Sequence, residues 1–348
     1  MGSPIFTVNA VSQYLGVFPS KVMEWVKTNK VVSVLTRSRH RKIRRDEVLR
    51  IQAENPMLIT TNKLHRSSMK KADKIAGGIN SPFRYPGGKF YARKLILEVI
   101  PQHESYCEMF CGGSSIFFAK PKVARNVLND LDPELINCYL IIRDRVEELI
   151  TALEGIPATK EKHAFYKNQY KPQNELERAL RWFYLNRISY SGIMKMENCY
   201  WGYGEKYSMR PENWPKHLRK VSAKLSGVEF SMCDFSELTS KLAPDTFLFI
   251  DPPYFNADQN KFYTCYFKKE DHIRLRDYLK ELHAKGFKFL LTYDNHPEVR
   301  AMYKDWCKLN DKKWTYTISR TDDQKKNRKL ADGHQGERSD GKELFITN

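Results

Sequence analysis

Apolar positions along the chain fall into two regimes. Between Phe6 and Ile51 they recur at helical spacing, with Val11, Leu15, Val22, Trp25 and Val26 on one face and Ser20, Lys21, Met23 and Glu24 left outward. Thr7 is placed to cap a helix over 8–15, Gly16-Val17-Phe18-Pro19 makes a turn, and Ser20 is placed to cap a second helix through Lys27. That is helix-turn-helix spacing. Val31 to Leu35 and Arg41 to Ile43 then read as two short strands around the tip Thr36-Arg37-Ser38-Arg39-His40. From Ser81 onward short apolar strands alternate with helices, the signature of an α/β sheet. Residues 54–80 separate the regimes, with Asn55-Pro56, Ser67-Ser68 and Gly77-Gly78 and little periodicity, and read as a linker between domains over 1–53 and 81–348.

Within the longer region, the strand Ser105 to Phe110 runs into Cys111-Gly112-Gly113-Ser114-Ser115, and Ile116 to Ala119 opens a helix. A glycine turn between strand and helix lets backbone approach a ligand at the first crossover of a doubly wound sheet. Val127-Leu128-Asn129 is a second strand, ended by Asp130. That acid is placed either to accept from ribose hydroxyls or to cap the helix beginning near Pro133. Phe247 to Ile250 is a continuous apolar strand that stops at Asp251-Pro252-Pro253-Tyr254. Consecutive prolines end the hydrogen-bond ladder, so the Asp251 carboxylate and a proline carbonyl point into the crevice at the strand end, unless the tetrapeptide is only a turn. Two acceptors there suit an exocyclic amine, whose lone pair is delocalised until its hydrogens are held. Tyr254 is placed to stack on a base taken out of a duplex. A helix over 271–285, a strand over 287–293 and a last strand over 343–347 complete the alternation. The polar stretch 320–342 reads as a loop beside DNA or a disordered connection.

Charge adds a partner to this picture. The 348 residues carry 59 Lys+Arg against 41 Asp+Glu, a net +18, and residues 1–80 hold 15 of the basic and 5 of the acidic residues. A polyanion such as nucleic acid fits that bias better than a membrane, and no segment is long and apolar enough to span one. The first residues lead directly into patterned sequence without a signal peptide, which implies the cytoplasm and contact with the nucleoid. Seven cysteines without a Cys-x-x-Cys pair imply reduced thiols, with Cys107, Cys111, Cys138 and Cys233 acting as small hydrophobes, and neither a disulfide framework nor a metal site.

The amino-terminal run, through Tyr14-Leu15-Gly16-Val17, Trp25, Arg39-His40-Arg41-Lys42-Ile43 and Asp46-Glu47-Val48-Leu49, resembles the winged helix-turn-helix of the MerR and excisionase families. The resemblance implies a recognition helix over 20–28, bearing Ser20 and Lys21, and a wing that brings Arg37, Arg39 and Arg41 to phosphate or minor groove. A helical protein-interaction domain with a solvated basic hairpin is the bland alternative.

Residues 81–348 resemble the Dam-type, D12-class DNA adenine-N6 methyltransferases. The resemblance rests on Ser81-Pro82-Phe83-Arg84-Tyr85-Pro86-Gly87-Gly88-Lys89, Glu108-Met109-Phe110-Cys111-Gly112-Gly113-Ser114-Ser115, Asn129-Asp130, Leu185-Asn186-Arg187, Cys233-Asp234-Phe235 and Asp251-Pro252-Pro253-Tyr254, in that order. It implies a Rossmann-like α/β fold, an S-adenosyl-L-methionine-dependent methyltransferase sheet with a helical target-recognition lobe at about 155–220. It assigns cofactor binding to Tyr85, Gly88, Lys89, Glu108, Phe110, Gly112, Gly113, Ser114, Asp130, Asp234, Phe235 and Asp251. Catalysis falls to Asp251, Pro252, Pro253 and Tyr254 with Lys89. Met109 and Gly113-Ser114 depart from the family's Glu-Pro-Phe-x-Gly-x-Gly-Ser pattern and blur which glycine does what. In the lobe, Arg187, Tyr190, Ser191 and Lys195 are the DNA-facing choices, with Arg187 equally placed to be a hydrogen-bond donor inside its own lobe; beside the opening motif, Arg84 is a further DNA contact implied by the resemblance. Trp182, Phe183 and Tyr184 read as core.

The activity so implied is methyl transfer from S-adenosyl-L-methionine to N6 of a flipped adenine in double-stranded DNA. The expected setting is a restriction-modification system with a cognate restriction endonuclease, a phage, or an orphan system, and the expected state is a monomer. Transfer to cytosine N4 follows the same amine logic. A DNA-binding regulator with a non-catalytic methyltransferase-like domain is the answer from another class, and an RNA methyltransferase a third, disfavoured because the A-form major groove is too narrow for a recognition helix.

Overall fold

The computed structural model describes residues 5–8, 11, 19–28, 30–35, 41–54, 78–204, 208–255, 265–315 and 340–348. The chain divides into two compact units, Met1–Ala76 and Gly77–Asn348.

In the first unit, β1 (Ile5–Thr7), β2 (Ser33–Leu35) and β3 (Arg41–Arg44) form an antiparallel sheet in the order β1-β3-β2, joined by helices α1 (Pro19–Lys27) and α2 (Arg45–Glu54). Phe6, Val11, Val22, Val26, Val31, Ile43, Val48 and Ile51 bury into one small core, with Trp25 packed against it. The stripe predicted from Val11, Val22 and Val26 therefore faces inward. Helix α1 starts at Pro19, so Ser20 lies inside its first turn and not at its cap; proline suits the first helical position because an N–H there has no helical partner to lose. Strand β1 and helix α2 are additions to the sequence reading, and most of the helix expected over 8–15 lies outside the described residues.

The second unit is built on a seven-stranded sheet. Strands β4 (Ser105–Glu108), β5 (Arg125–Asn129), β6 (Glu229–Ser231), β7 (Thr246–Ile250) and β8 (Lys288–Asp294) are mutually parallel in the order β6-β5-β4-β7-β8. Strand β10 (Asp340–Thr347) enters antiparallel between β8 and β9 (Lys308–Thr315). Alternate residues serve opposite faces. Phe247 and Phe249 join the core that holds Tyr106, Phe117 and Tyr139, whereas Leu248 and Ile250 join the one that holds Leu275, Phe289 and Leu291. Both faces are covered, which is why β7 reads as an uninterrupted apolar run. Such a mostly parallel, doubly covered sheet agrees with the methyltransferase sheet expected from the sequence. Strand β9 escaped that reading because its charged, lysine-bearing sequence is that of an edge strand.

Helices α3 (Arg93–Leu97), α4 (Ser115–Ala119), α5 (Pro133–Asp144), α6 (Val146–Leu153), α7 (Lys160–Asn168), α8 (Glu175–Ile188) and α9 (Trp214–Leu225) contribute to the first core. Trp182, Phe183 and Tyr184 of α8 lie in it as expected, so the predicted lobe is continuous with the sheet's own packing. Helices α10 (Lys269–Ala284) and α11 (Pro297–Tyr303) cover the other face. The unit begins before Ser81: the Ile79 N–H donates to the Phe118 carbonyl at 2.8 Å. Among the described residues no helix is long and apolar enough to cross a membrane.

The chain runs outward from β4 to β5 and β6, then returns to the other side of β4 at β7. Strand order thus reverses between β4 and β7, and a crevice opens beyond their carboxyl ends.

Candidate active site

Four strand ends converge on that crevice. Past β4, Gly112 takes a φ of 44° and Ser114 one of 47°, a tight left-handed turn. Its glycines make room for a side chain. A Cβ on Gly112 would meet Tyr85 Cε1 at 2.9 Å and Cδ1 at 3.0 Å, and one on Gly113 would meet Tyr85 Cβ at 3.0 Å. On Gly88 it would meet the Tyr85 carbonyl oxygen at 3.0 Å. All three glycines therefore make room for Tyr85.

Past β5, Asp130 accepts the Gly112 N–H at 2.8 Å and the Asp132 N–H at 3.1 Å. The helix-cap alternative falls to Asp132, which accepts from Glu134 N at 2.9 Å and Leu135 N at 3.2 Å. Burial pushes the Asp130 carboxyl up to about 6 in spite of the N–H groups that oppose it. Asn129 stitches the strand ends together: Nδ2 donates to the Met109 and Cys233 carbonyls, each at 3.0 Å, and Oδ1 accepts the Cys233 N–H. Past β6, Asp234 caps the next helical turn through Ser236 N and pairs with Arg274 at 2.8 Å. The rings of Phe110, Phe235 and Phe267 stand 5.5–5.9 Å apart.

These groups enclose a cavity of about 130 Å³. Of the residues predicted from the sequence, Tyr85, Phe110, Gly112, Asp130, Asp234, Phe235, Asp251 and Pro253 line it. Met109, Asn129 and Cys233, which stand in the sequence motifs without a role of their own, line it too, and Leu131, Cys265, Tyr266, Phe267 and Asp271 were missed because they belong to no motif of the sequence. Gly88, Lys89, Gly113, Ser114, Pro252 and Tyr254 are not among its lining residues.

Past β7, Asp251 is gripped from two sides. Lys89, 4% exposed, places Nζ at 2.7 Å from its carboxylate, and the Thr292 hydroxyl donates to Oδ1 at 2.7 Å. Lys89 also donates to the Gly87 carbonyl at 2.9 Å and lies over the Tyr254 ring, 4.8 Å from its centroid. Behind Tyr254 sit Tyr293 and His272, joined at 2.6 Å; burial holds the His272 imidazole down to about 4.

Two expectations are corrected. Glu108 does not reach the cavity; it accepts Phe117 N–H at 2.7 Å and Tyr106 O–H at 2.9 Å on the opposite side of its strand, and burial pushes its carboxyl up to about 7. It anchors the start of α4. Arg187 does not face outward; it is 7% exposed and donates to the Pro82 carbonyl at 3.2 Å, a structural donor as in its alternative but toward the opening motif and not within its own lobe. Burial, reinforced by Arg84, pushes its guanidinium down to about 10.

The neighbouring Asn186, named only within the Leu-Asn-Arg segment and given no role of its own, is fully buried. It binds the Arg84 backbone on both sides, N–H to Oδ1 at 2.9 Å and carbonyl to Nδ2 at 2.7 Å, and reaches the Gly192 carbonyl at 3.2 Å. The segment Tyr190–Gly192, with Ser191 left-handed at φ 53°, is thereby tied to the opening motif. Arg84 is half-buried and donates to the Ser189 carbonyl at 3.2 Å, while Lys195 donates to the Tyr266 hydroxyl at 3.1 Å. Ser20, Lys21 and Arg41 have side chains outside the described residues, and Arg37 and Arg39 lie wholly outside them.

A model of the D12 class N6 adenine-specific DNA methyltransferases matches residues 85–318, a span that takes in the Tyr85 seat, the Asp130 strand end and the Asp251 tetrapeptide. The chain belongs to that family. Relatives bear names of the same kind. A type II methyltransferase, M1.LlaDCHI, of Lactococcus lactis subsp. cremoris is 29% identical over 65% of this chain and 85% of its own. The DNA N-6-adenine-methyltransferase of Escherichia phage P1 is 29% identical over 65% of this chain and 31% of its own. A DNA adenine methylase of Vibrio cholerae is 24% identical over 68% of this chain and 89% of its own. This D12-class enzyme is thus an adenine-specific DNA methyltransferase, with DNA as substrate and a methyl donor as its second requirement.

Proposed function

We propose that the enzyme takes its methyl group from S-adenosylmethionine and delivers it to N6 of an adenine extruded from duplex DNA, in a restriction-modification, phage or orphan setting. The observation that carries this is Asp251, held by Lys89 and Thr292 at the mouth of the aromatic cavity.

The cavity's donor set fits that cofactor. Asp130 spends two acceptor sites on N–H groups and keeps others for ribose hydroxyls, and Phe110, Phe235 and Phe267 offer faces and edges to a purine. S-adenosylmethionine, when bound, supplies an electrophilic methyl on a sulfonium, whose sulfur keeps the electron pair of the broken bond. The chain's own groups do the rest. Asp251 and the Pro252 carbonyl accept hydrogen bonds from the two N6 hydrogens, which favours a pyramidal nitrogen with its lone pair aimed at the methyl, and the methylated nitrogen then sheds one of those protons to solvent to leave neutral N6-methyladenine. Tyr254, in contact with Lys89 and Tyr293, stacks on the extruded base. Tyr85 closes the cavity over the glycine turn.

Arg84, Tyr190, Ser191 and Lys195 form the DNA-facing edge in this reading, Arg187 being withdrawn to the interior. The amino-terminal unit acts as a winged helix-turn-helix, with Ser20 and Lys21 on its recognition helix and Arg37, Arg39 and Arg41 toward phosphate; its net +10 over residues 1–80 supports that role. A single reader beside a monomeric catalytic unit fits an asymmetric target longer than a short palindrome, and a cognate endonuclease is the natural companion. The test is incubation with labelled S-adenosylmethionine and mixed-sequence duplex DNA, beside an Asp251→Ala variant, with the modified nucleoside identified by mass spectrometry. N6-methyladenine from wild type alone is the expected result. N4-methylcytosine, or label in the Asp251→Ala product, refutes the reading.

A further inference from the structure

Resting on the reading of Asp251 as the residue that holds the amine, we infer that Thr292 is the positioning residue that sets the direction in which the Asp251 carboxylate points. Strands β7 and β8 run parallel with Ile250 opposite Leu291, so the next residue on each, Asp251 and Thr292, stand side by side where the strands open onto the crevice. Thr292 is fully buried. Its one hydroxyl hydrogen has two acceptors within reach, Asp251 Oδ1 at 2.7 Å and the Ile250 carbonyl at 3.3 Å. The nearer, charged oxygen takes it, because a charge-assisted bond at that length is about twice as strong as a neutral one.

Lys89 and Thr292 divide the work unequally. The buried Lys89 ammonium lies 2.7 Å from each of the two Asp251 oxygens, so it supplies charge to both and does not choose between them. Threonine is β-branched and stiff at χ1, and here it sits on an inner strand flanked by β7 and β10. A carboxylate turns easily about its terminal bond, since that torsion has no sharp staggered wells. A fixed hydroxyl on one oxygen stops the rotation. With Oδ1 committed to Thr292, the free acceptor sites of the partly exposed carboxylate aim where an amine would lie, at no ordering cost when the base arrives.

A hydroxyl that merely satisfied the Ile250 carbonyl would matter to stability alone, and kinetics separate the two roles. The full chain is assayed as wild type, Thr292→Val, Thr292→Ser and Asp251→Ala on duplex DNA lacking N6-methyladenine, across a range of S-adenosylmethionine concentrations, with each melting curve recorded. Loss of one hydrogen bond to a charged group lowers kcat by about 10- to 100-fold in Thr292→Val, with KM for the donor within about twofold of wild type. Thr292→Ser, which keeps the hydroxyl, returns kcat to within about threefold. Where the valine variant does not fold, Thr292→Ala against Thr292→Ser gives the same comparison. A kcat within about twofold of wild type in the variant without a hydroxyl, or a serine variant as slow as that one, overturns the role of Thr292. Activity in Asp251→Ala overturns instead the reading on which this one rests.

Discussion

Gly112→Ala and Gly155→Ala introduce the same methyl group into the same kind of backbone and are expected to give different enzymes. Both glycines have positive φ, 44° and 73°, so each alanine carries left-handed strain of about 1–2 kcal/mol. For a unit of this size that lowers Tm by roughly 2–8 °C. At Gly155 nothing lies within 4 Å of the added Cβ, and strain is the whole effect. At Gly112 the Cβ meets Tyr85 ring carbons at 2.9 and 3.0 Å. Ordinary carbon contacts begin near 3.5 Å, so the ring must retreat by roughly 0.5 Å. Gly88 and Gly113 pack against the tyrosine's backbone and Cβ, which directs the displacement into the ring and hence into the cavity wall. A misplacement of about 1 Å in a site costs on the order of 100-fold, so a shift half as large should weaken binding by roughly tenfold. Calorimetric titration of both variants with S-adenosylhomocysteine, the demethylated product of the proposed donor, reads the difference, and scanning calorimetry reads the common loss of stability. Equal affinities in two folded variants would refute the claim that the glycine turn exists to seat Tyr85.

Three other perturbations follow from the same geometry. Glu108→Gln should gain stability on wild type as pH rises. The folded carboxyl is raised to about 7 by burial, so its favourable contribution is complete below about 4.5 and lost through 7, with at most about 3 kcal/mol at stake. Urea melts at pH 5 and pH 8 that show an unchanged gap between the two proteins would exclude this. Arg187→Gln and Lys195→Gln should separate: the first lowers Tm and leaves the salt dependence of DNA binding alone, the second leaves Tm and reduces the slope of log K on log salt by about one. Fluorescence anisotropy across a salt series decides, and a shallower slope in Arg187→Gln would return that residue to the DNA surface. Gly192→Ala places a Cβ 2.2 Å from the Arg84 carbonyl oxygen at φ 70°, so it should lose far more stability than Gly155→Ala; equal melting temperatures would contradict the clamp built by Asn186.

Features that depend on neighbours in the chain were legible in the sequence. The apolar run of β7, the proline stop after it, the glycine turn past β4 and the acid past β5 each declare themselves within a few residues, and their order along the chain implied both the sheet and the family. Buried polar residues were not legible, because their partners lie on strands and loops distant in sequence. Glu108 stands one residue from a wall of the cavity yet points away, since successive side chains on a strand alternate faces. Arg187 and Asn186 looked like a recognition motif and prove to be bonded to Pro82, Arg84 and Gly192, about a hundred residues upstream and six downstream. Asp130 could have capped a helix or faced a ligand, and Asp132 decided the matter by taking the cap. Thr292 carried no signal at all; only the parallel register of β7 and β8 sets its hydroxyl beside Asp251. The sequence alone determined where strands end and which chemistry stands at their ends, through short-range sterics and hydrophobic periodicity. Which side chain holds which was decided by tertiary structure, because a hydrogen bond depends on positions that only strand order and register bring within 3 Å.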